Sequence, residues 1–558
     1  MLRGTALIRN AGRVSGQDSH SQSRQCQNAY RSRAGALQPR KGMKNPAREI
    51  PVITPKPADL YHPPTQLVWF VAPKVPLAEQ QHQTLREQLP TYPHRLICGS
   101  MEPELWGKQV WTAILQDARI VVSTPAVLCE ALQHAYVRMR DLALLVFDEA
   151  HWAVGKSPVR RIMTDFYHVV PLAERLGKVP HILGLTASPV NNDQLESIEE
   201  LERDLDAICR APTTHRQELQ NHVHIPHVER LLFDEQLSSS SAELLELQKA
   251  YLSYDLETDP YVKSLHKEDQ SLKIHKVGTK RSTDTLDQLK ALVRNATTLE
   301  EQLGPWASRD FLQTCMQKSH DKLQRLQDMV WLTPVQNDEL LLLHHILSSA
   351  LDTSTGAFSF ESDVGNISVK AATLLQWLSN TAIDDLRGIV FVRERVTAVY
   401  LAKLIAIHSL TKNEYEVASF VGSSTHPSRS ELVDVLDVKL QNIGINDFRA
   451  GKRNLMVSTS VLEEGIDVPA ANLVVRFDPP PNFTAYIQSR GRARRPNSTF
   501  LLMYRRDELQ GTEARELAEL EDRMKAKYMD KTRMLAESEE LDRAASGHQE
   551  YLSSQVTG

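Results

Sequence analysis

Asp148 and Glu149 are adjacent carboxylates that close an apolar run, Leu142–His151, read as LALLVFDEAH. Two acids so placed divide one task. One holds a hydrated Mg2+ through its waters, because Mg2+ takes few protein ligands and prefers phosphate oxygens. The other takes a proton from an attacking water. The run ahead of them reads as a strand buried on both faces, the kind found in a parallel sheet. Ligands bind at the carboxyl ends of such strands, where this pair sits.

Further motifs follow in a fixed order. Leu185-Thr186-Ala187-Ser188 ends the apolar run His181–Leu185. Far downstream stand Val457-Ser458-Thr459-Ser460-Val461-Leu462-Glu463-Glu464-Gly465-Ile466-Asp467 and then Gln488-Ser489-Arg490-Gly491-Arg492-Ala493-Arg494-Arg495. Together these resemble motifs II, III, V and VI of superfamily 2 helicases of the DEAH-box type. STSVLEEGIDVPAANLVVRFD followed by QSRGRARR is similar to the helicase module of Dicer enzymes, above all the fungal Dicer-like proteins. The resemblance runs from about Gln66 to Asp530. It implies an α/β fold: two RecA-like parallel-sheet lobes with an all-helical insertion domain between them. The same helical domain occurs in the related cytosolic viral-RNA sensors and grips double-stranded RNA there.

The resemblance also assigns roles. Asp148, holding Mg2+ through water, and Glu149 form the hydrolytic pair, and His151 joins them at the ATP. Thr186 and Ser188 link the ATP site to bound RNA. Phosphoryl transfer spreads negative charge over the γ-phosphate oxygens, and arginines from a facing lobe stabilise it. The family spacing places these at Arg492 and Arg495, with Gln488 as a sensor; Arg490 and Arg494 are structural or RNA-facing. Gly465 permits close backbone approach. Asp467 accepts from the ribose or orients an arginine. RNA-backbone contacts fall on Lys74, after the strand Gln66–Ala72, on Thr124, and on Thr459. For Lys74 a solvated strand-end lysine is an equal alternative. Trp106 and Trp111 read as core anchors.

One part of the pattern is not found. A phosphate loop, GxxxxGK[ST], should precede the acid pair, its backbone N–H groups and lysine cradling the phosphates of ATP. None occurs upstream of Val68. Gly155-Lys156-Ser157 follows the acid pair, and Ala150 stands where the first glycine belongs. It is a decoy, and the first lobe lacks its first strand.

The elements that position these motifs divide the 558 residues into about three or four domains. Residues 1–65 form a basic amino-terminal segment. Its first 50 residues hold eight Arg and two Lys against Asp18 and Glu49, a composition that buries no core. It also fits a mitochondrial transit peptide or an arm on RNA phosphates. The first lobe spans 66–212. Residues 230–350 carry helical patterns without strand alternation and form the insertion, within which 264–283 reads as a basic, mobile loop. The second lobe spans 366–515, and 516–558 reads as a charged helix of the pincer-like kind seen in Dicers.

A net charge of −5 excludes global basic character, so nucleic-acid binding must use local patches. Five scattered cysteines without a CxxC pair argue against zinc or a disulfide framework. No apolar run spans a bilayer. The expectation is a module that binds double-stranded RNA and hydrolyses ATP with Mg2+, in RNA silencing and antiviral defence. It would work with silencing partners in the cytoplasm, with a nuclear or mitochondrial location as the alternatives. Two other readings stand beside it: an ATPase-inactive RNA-binding remnant, favoured by the missing phosphate loop, and a DNA-repair helicase. Nothing resembles a double-stranded RNA-binding fold, an end-binding domain or RNase III, so no nuclease activity is expected.

Overall fold

The computed structural model describes residues 66–507, apart from 172–174, 176, 188–195, 211–223, 235–239, 268–269, 328–332, 353–365, 382, 423–431, 435–437 and 464–467, together with 6–9, 519, 523 and 526. Most of the amino-terminal segment and of the tail therefore lies outside the described residues.

Thirteen strands form two sheets among the described residues. The first contains β1 (Ala6–Arg9), β2 (Leu67–Val71), β3 (His94–Ile97), β4 (Ile120–Ser123), β5 (Leu142–Asp148), β6 (His181–Thr186) and β7 (Ile208–Arg210), in the order β3-β4-β2-β5-β6-β1-β7. Side chains of a strand alternate between faces, and here both faces are apolar. Trp69, Val71, Leu145 and Phe147 enter one core, and Phe70, Ala72 and Val146 the other. Helices cover each, with Leu128 and Leu132 on the first and Leu77 and Leu85 on the second. Trp111 is fully buried and Trp106 packs edge-on against it, centroids 5.5 Å apart. Strands β2 to β6 run parallel to their neighbours, but β1 lies antiparallel between β6 and β7, with Ala6 opposite Thr186 and Arg9 opposite Leu183.

The second sheet contains β8 (His227–Phe233), β9 (Gly388–Phe391), β10 (Val417–Phe420), β11 (Leu455–Ser458), β12 (Leu473–Arg476) and β13 (Thr499–Arg505), in the order β10-β11-β9-β12-β13-β8. Every pairing in it is parallel. Strand β8 occupies the first positions that the sequence assigned to the helical insertion. It pairs with β13, so the chain enters the second lobe before it leaves for the insertion, whose first long helix is Ala242–Leu252.

The insertion is helical throughout its described residues and includes Asp284–Leu303, Pro305–Gln327 and Pro334–Asp352. The stretch read as a mobile loop is also helical, as Pro260–Lys267 and Ser271–Lys280. The insertion shares one core with the second sheet. Leu292, Leu299 and Phe311 join Val390, Val392 and Leu401. The joint is close at Gly304, whose φ is +99°. A Cβ there would stand 2.5 Å from the backbone nitrogen of Ser368. That nitrogen donates to Leu303 O at 2.9 Å, and Ser368 Oγ to Gln302 O at 2.7 Å. The start of the helix Val369–Asn380 thus satisfies carbonyls at the end of Asp284–Leu303.

Candidate active site

Four candidate residues lie along one edge of the first sheet, at the carboxyl ends of adjacent strands. Thr124 follows β4, Lys74 follows β2, Asp148 ends β5 and Thr186 ends β6. Each sits there because a buried apolar strand gives way to a polar turn. The Asp148 carboxylate accepts from Gln81 Nε2 at 3.1 Å and from the backbone N–H of Glu149 at 3.1 Å. Gln81 is buried on the helix Val75–Gln88 and carried no signal in the sequence, since a glutamine in a helix has no distinguishing pattern.

Glu149 turns the chain in the left-handed region, φ 49° and ψ 53°. A non-glycine residue there stores strain, which packed sites tolerate where geometry demands it. The turn puts the carboxylate of Glu149 back over His151, with Oε2 3.4 Å from Nδ1. His151 Nδ1 also lies 3.0 Å from Thr186 Oγ1. All three are buried. Asp148, Glu149, His151 and Thr186 therefore form one assembly that joins β5 to β6. Ser188 lies outside the described residues.

In the second lobe Thr459 is buried at the end of β11. Gly465 and Asp467 lie outside the described residues. Arg492 Nη2 donates to Glu463 O at 3.2 Å. The Glu463 carboxylate pairs with Arg476, buried between Phe391 and the Asp478 carbonyl. The Asp478 carboxylate accepts from the backbone N–H of Arg393 at 2.6 Å and from Lys370 Nζ at 2.7 Å. Lys370 also donates to Gln302 Oε1 at 2.5 Å, in the insertion. Sequence reasoning gave no role to Glu463, Arg476, Asp478 or Lys370; the contacts that tie Asp478 to Lys370 and Arg393 span 108 and 85 residues. Gln488 is buried and its Nε2 has no hydrogen-bond partner among the described residues. A buried donor of this kind asks for an acceptor. Arg495 differs from Arg492. Its guanidinium donates to the carbonyl and carboxylate of Asp385 at 2.8 and 2.7 Å, beside the amino-terminal end of β9. Arg490 stacks on Tyr486.

The residues fit ATP and Mg2+ in part. One carboxylate suffices for a Mg2+ that keeps its waters and binds phosphates, and Asp148 has the right chemistry and place. A phosphate cradle is not found among the described residues. Gly155 and Lys156 form an exposed turn, and Ser157 Oγ accepts from Arg160 N–H to cap the short helix Pro158–Ile162. No strand feeds that turn, so it is not a strand–loop–helix phosphate site.

Residues 50–196 match the DEAD/DEAH box helicase family and residues 369–497 the helicase conserved C-terminal domain. This is a DEAD/DEAH-box helicase module similar to those of fungal Dicer-like proteins. It is 36% identical over 503 residues to Dicer-like protein 2-1 of Aspergillus niger, covering 89% of this chain and 36% of that one. It is 36% identical over 497 residues to Dicer-like protein 2 of Neurospora crassa (88% and 31% covered) and 37% identical over 497 residues to that of Pyricularia oryzae (86% and 33% covered). The module thus spans about a third of the length of these curated relatives. The Hef helicase domain of Pyrococcus furiosus aligns with a TM-score of 0.40 at 21% identity, covering 79% of this chain and 87% of that one. Both family descriptions imply use of a nucleotide. No described helix is long and apolar enough to cross a membrane.

Proposed function

We propose that this helicase module binds double-stranded RNA and hydrolyses ATP, in the RNA silencing and antiviral defence expected of Dicer-like proteins. The observation that carries the reading is the assembly of half-buried Asp148 with the buried Glu149, His151 and Thr186. ATP with Mg2+ supplies the phosphoryl group and the metal charge. Asp148 would hold such a metal through its waters. Glu149 sits at a fixed turn from which it receives a proton, and His151 passes its position to Thr186 and so to β6. Arg492 supplies positive charge from the second lobe.

A second reading, an ATPase-silent RNA binder, is favoured by one feature of the first sheet. Strand β1 runs antiparallel, so Ala6 rather than Arg9 lies at the edge that holds Asp148. A strand in this direction enters the sheet at that edge and delivers no loop and helix to it, as a phosphate loop requires.

The test is ATP hydrolysis by the purified chain, with and without blunt double-stranded RNA, beside Glu149→Gln. We expect RNA-stimulated turnover that falls by about two to four orders of magnitude in the variant, with RNA binding kept. RNA binding without turnover would establish the second reading. Absence of RNA binding would remove both.

A further inference from the structure

The helix Val75–Gln88 buries Leu77, Ala78, Gln81 and Leu85. Their spacing is that of one helical face. Three of the four are apolar and join the core that also holds Phe70, Val146 and Leu185. Gln81 is the exception. It is only 4% exposed, at a position where a leucine or methionine would fill the same core. A buried amide costs stability unless its polar atoms are hydrogen-bonded. Sequences break local rules of this kind at functional sites.

The amide reaches one of the two acids. Gln81 Nε2 donates to Asp148 Oδ2 at 3.1 Å, across 67 residues of chain. The other oxygen, Oδ1, accepts from the backbone N–H of Glu149 at 3.1 Å. The last torsion of an aspartate is otherwise broad, and a donor on each oxygen holds the carboxylate plane in one orientation. A carboxylate offers about four lone-pair sites, which these two bonds do not exhaust. The donor is also neutral. A lysine or arginine in its place would offset the negative charge that attracts a metal, whereas an amide orients the carboxylate and leaves that charge in place. The mount is stiff. Leu77 and Leu85 stand one helical turn before and after Gln81, both packed in the core.

We propose that Gln81 is a positioning residue for Asp148, fixing the orientation in which that carboxylate meets the water shell of a nucleotide-bound Mg2+. The proposal rests on the ATP and Mg2+ reading above and adds to it a residue to which the sequence assigned no role. Removing an outer partner of this kind changes metal affinity by about 10- to 100-fold.

The experiment titrates the full chain with a fluorescent ADP analogue, once in EDTA and once in saturating Mg2+. The ratio of the two dissociation constants reads the contribution of the metal. Gln81→Met keeps the volume and removes the donor, and Gln81→Glu replaces the donor by a second carboxylate. Leu85→Ala opens a cavity on the same face of the same helix and serves as the packing control. We expect both Gln81 variants to lower the ratio by about 10-fold or more, with binding in EDTA unchanged and the melting temperature of Gln81→Met no lower than that of wild type. Leu85→Ala should lower the melting temperature and keep the wild-type ratio. A wild-type ratio in Gln81→Met overturns the positioning role and leaves the functional reading standing. An equal loss of ratio in Leu85→Ala overturns it in favour of packing. Wild type that binds the analogue equally well with and without Mg2+, or not at all, overturns the ATP and Mg2+ reading together with it.

Discussion

The two sheets are built from the same kind of strand and are completed differently. The second is parallel throughout and locked into its surroundings by buried charge: Lys370, Asp478, Arg476 and Glu463 form one network from the insertion to Arg492. The first is parallel except at β1, a four-residue strand that fills the place between β6 and β7 in the opposite direction. A parallel strand there would leave the sheet beside Asp148. The antiparallel one arrives there. Strand direction therefore distinguishes the two sheets at the edge that carries the acids.

Four perturbations break or sharpen this contrast. The largest is Lys370→Met, which leaves the Asp478 carboxylate buried without its cationic partner. Chemical denaturation should show a loss of about 3 kcal/mol or more, and Lys370→Arg should recover part of it. In the first lobe, Ile8→Pro removes a ladder hydrogen bond from a strand flanked on both sides. The expected loss is roughly 1 to 3 kcal/mol; an unchanged denaturation midpoint would mean that β1 adds nothing to the lobe. Third comes pH. Burial, with Asp284 and Asp259 nearby, pushes the Glu339 carboxyl up to about 7 in the insertion. A raised folded value means that its stabilising effect is complete below the ordinary carboxylate range and is lost as pH rises through about 7. The melting temperature should therefore fall between pH 5 and pH 8, and Glu339→Gln should flatten that part of the profile. The smallest effect is Asp385→Ala. Its pair with Arg495 is well exposed on the aspartate side, so stability should change by less than about 1 kcal/mol. Arg495 is thereby released, and any RNA-stimulated turnover should rise or stay level; a fall would give Asp385 a positioning role.

Much of the fold was legible because its signals are local. LALLVFD is apolar on both faces and could only be an inner strand, and the acids at its end follow from that. Helical periodicity announced the insertion. What escaped had long-range causes. HVERLLF alternates weakly, and only its pairing with β13 makes it part of the second sheet. The lysine-rich stretch read as a loop because repulsion and a glycine argue against helix, and its contact with Pro260–Lys267 is tertiary. The His151–Thr186 contact spans 35 residues and the Arg495–Asp385 pair 110. Motif spacing gave the residues but could not show that Arg492 and Arg495 have separate partners.

Strand β8 also bears on how the chain is made. Its partner begins at Thr499, opposite His227, 499 minus 227 or 272 residues later. At ordinary synthesis rates a ribosome needs on the order of 15–50 s to cover that distance. Throughout that interval the strand lacks its ladder partner and stands as an open edge able to pair with other nascent chains. Glu229 and Arg230 place two charges in its centre, and charge within a strand disfavours such pairing. Completion of the second lobe is thus a late event in translation, and expression yield should respond to elongation speed between the two strands.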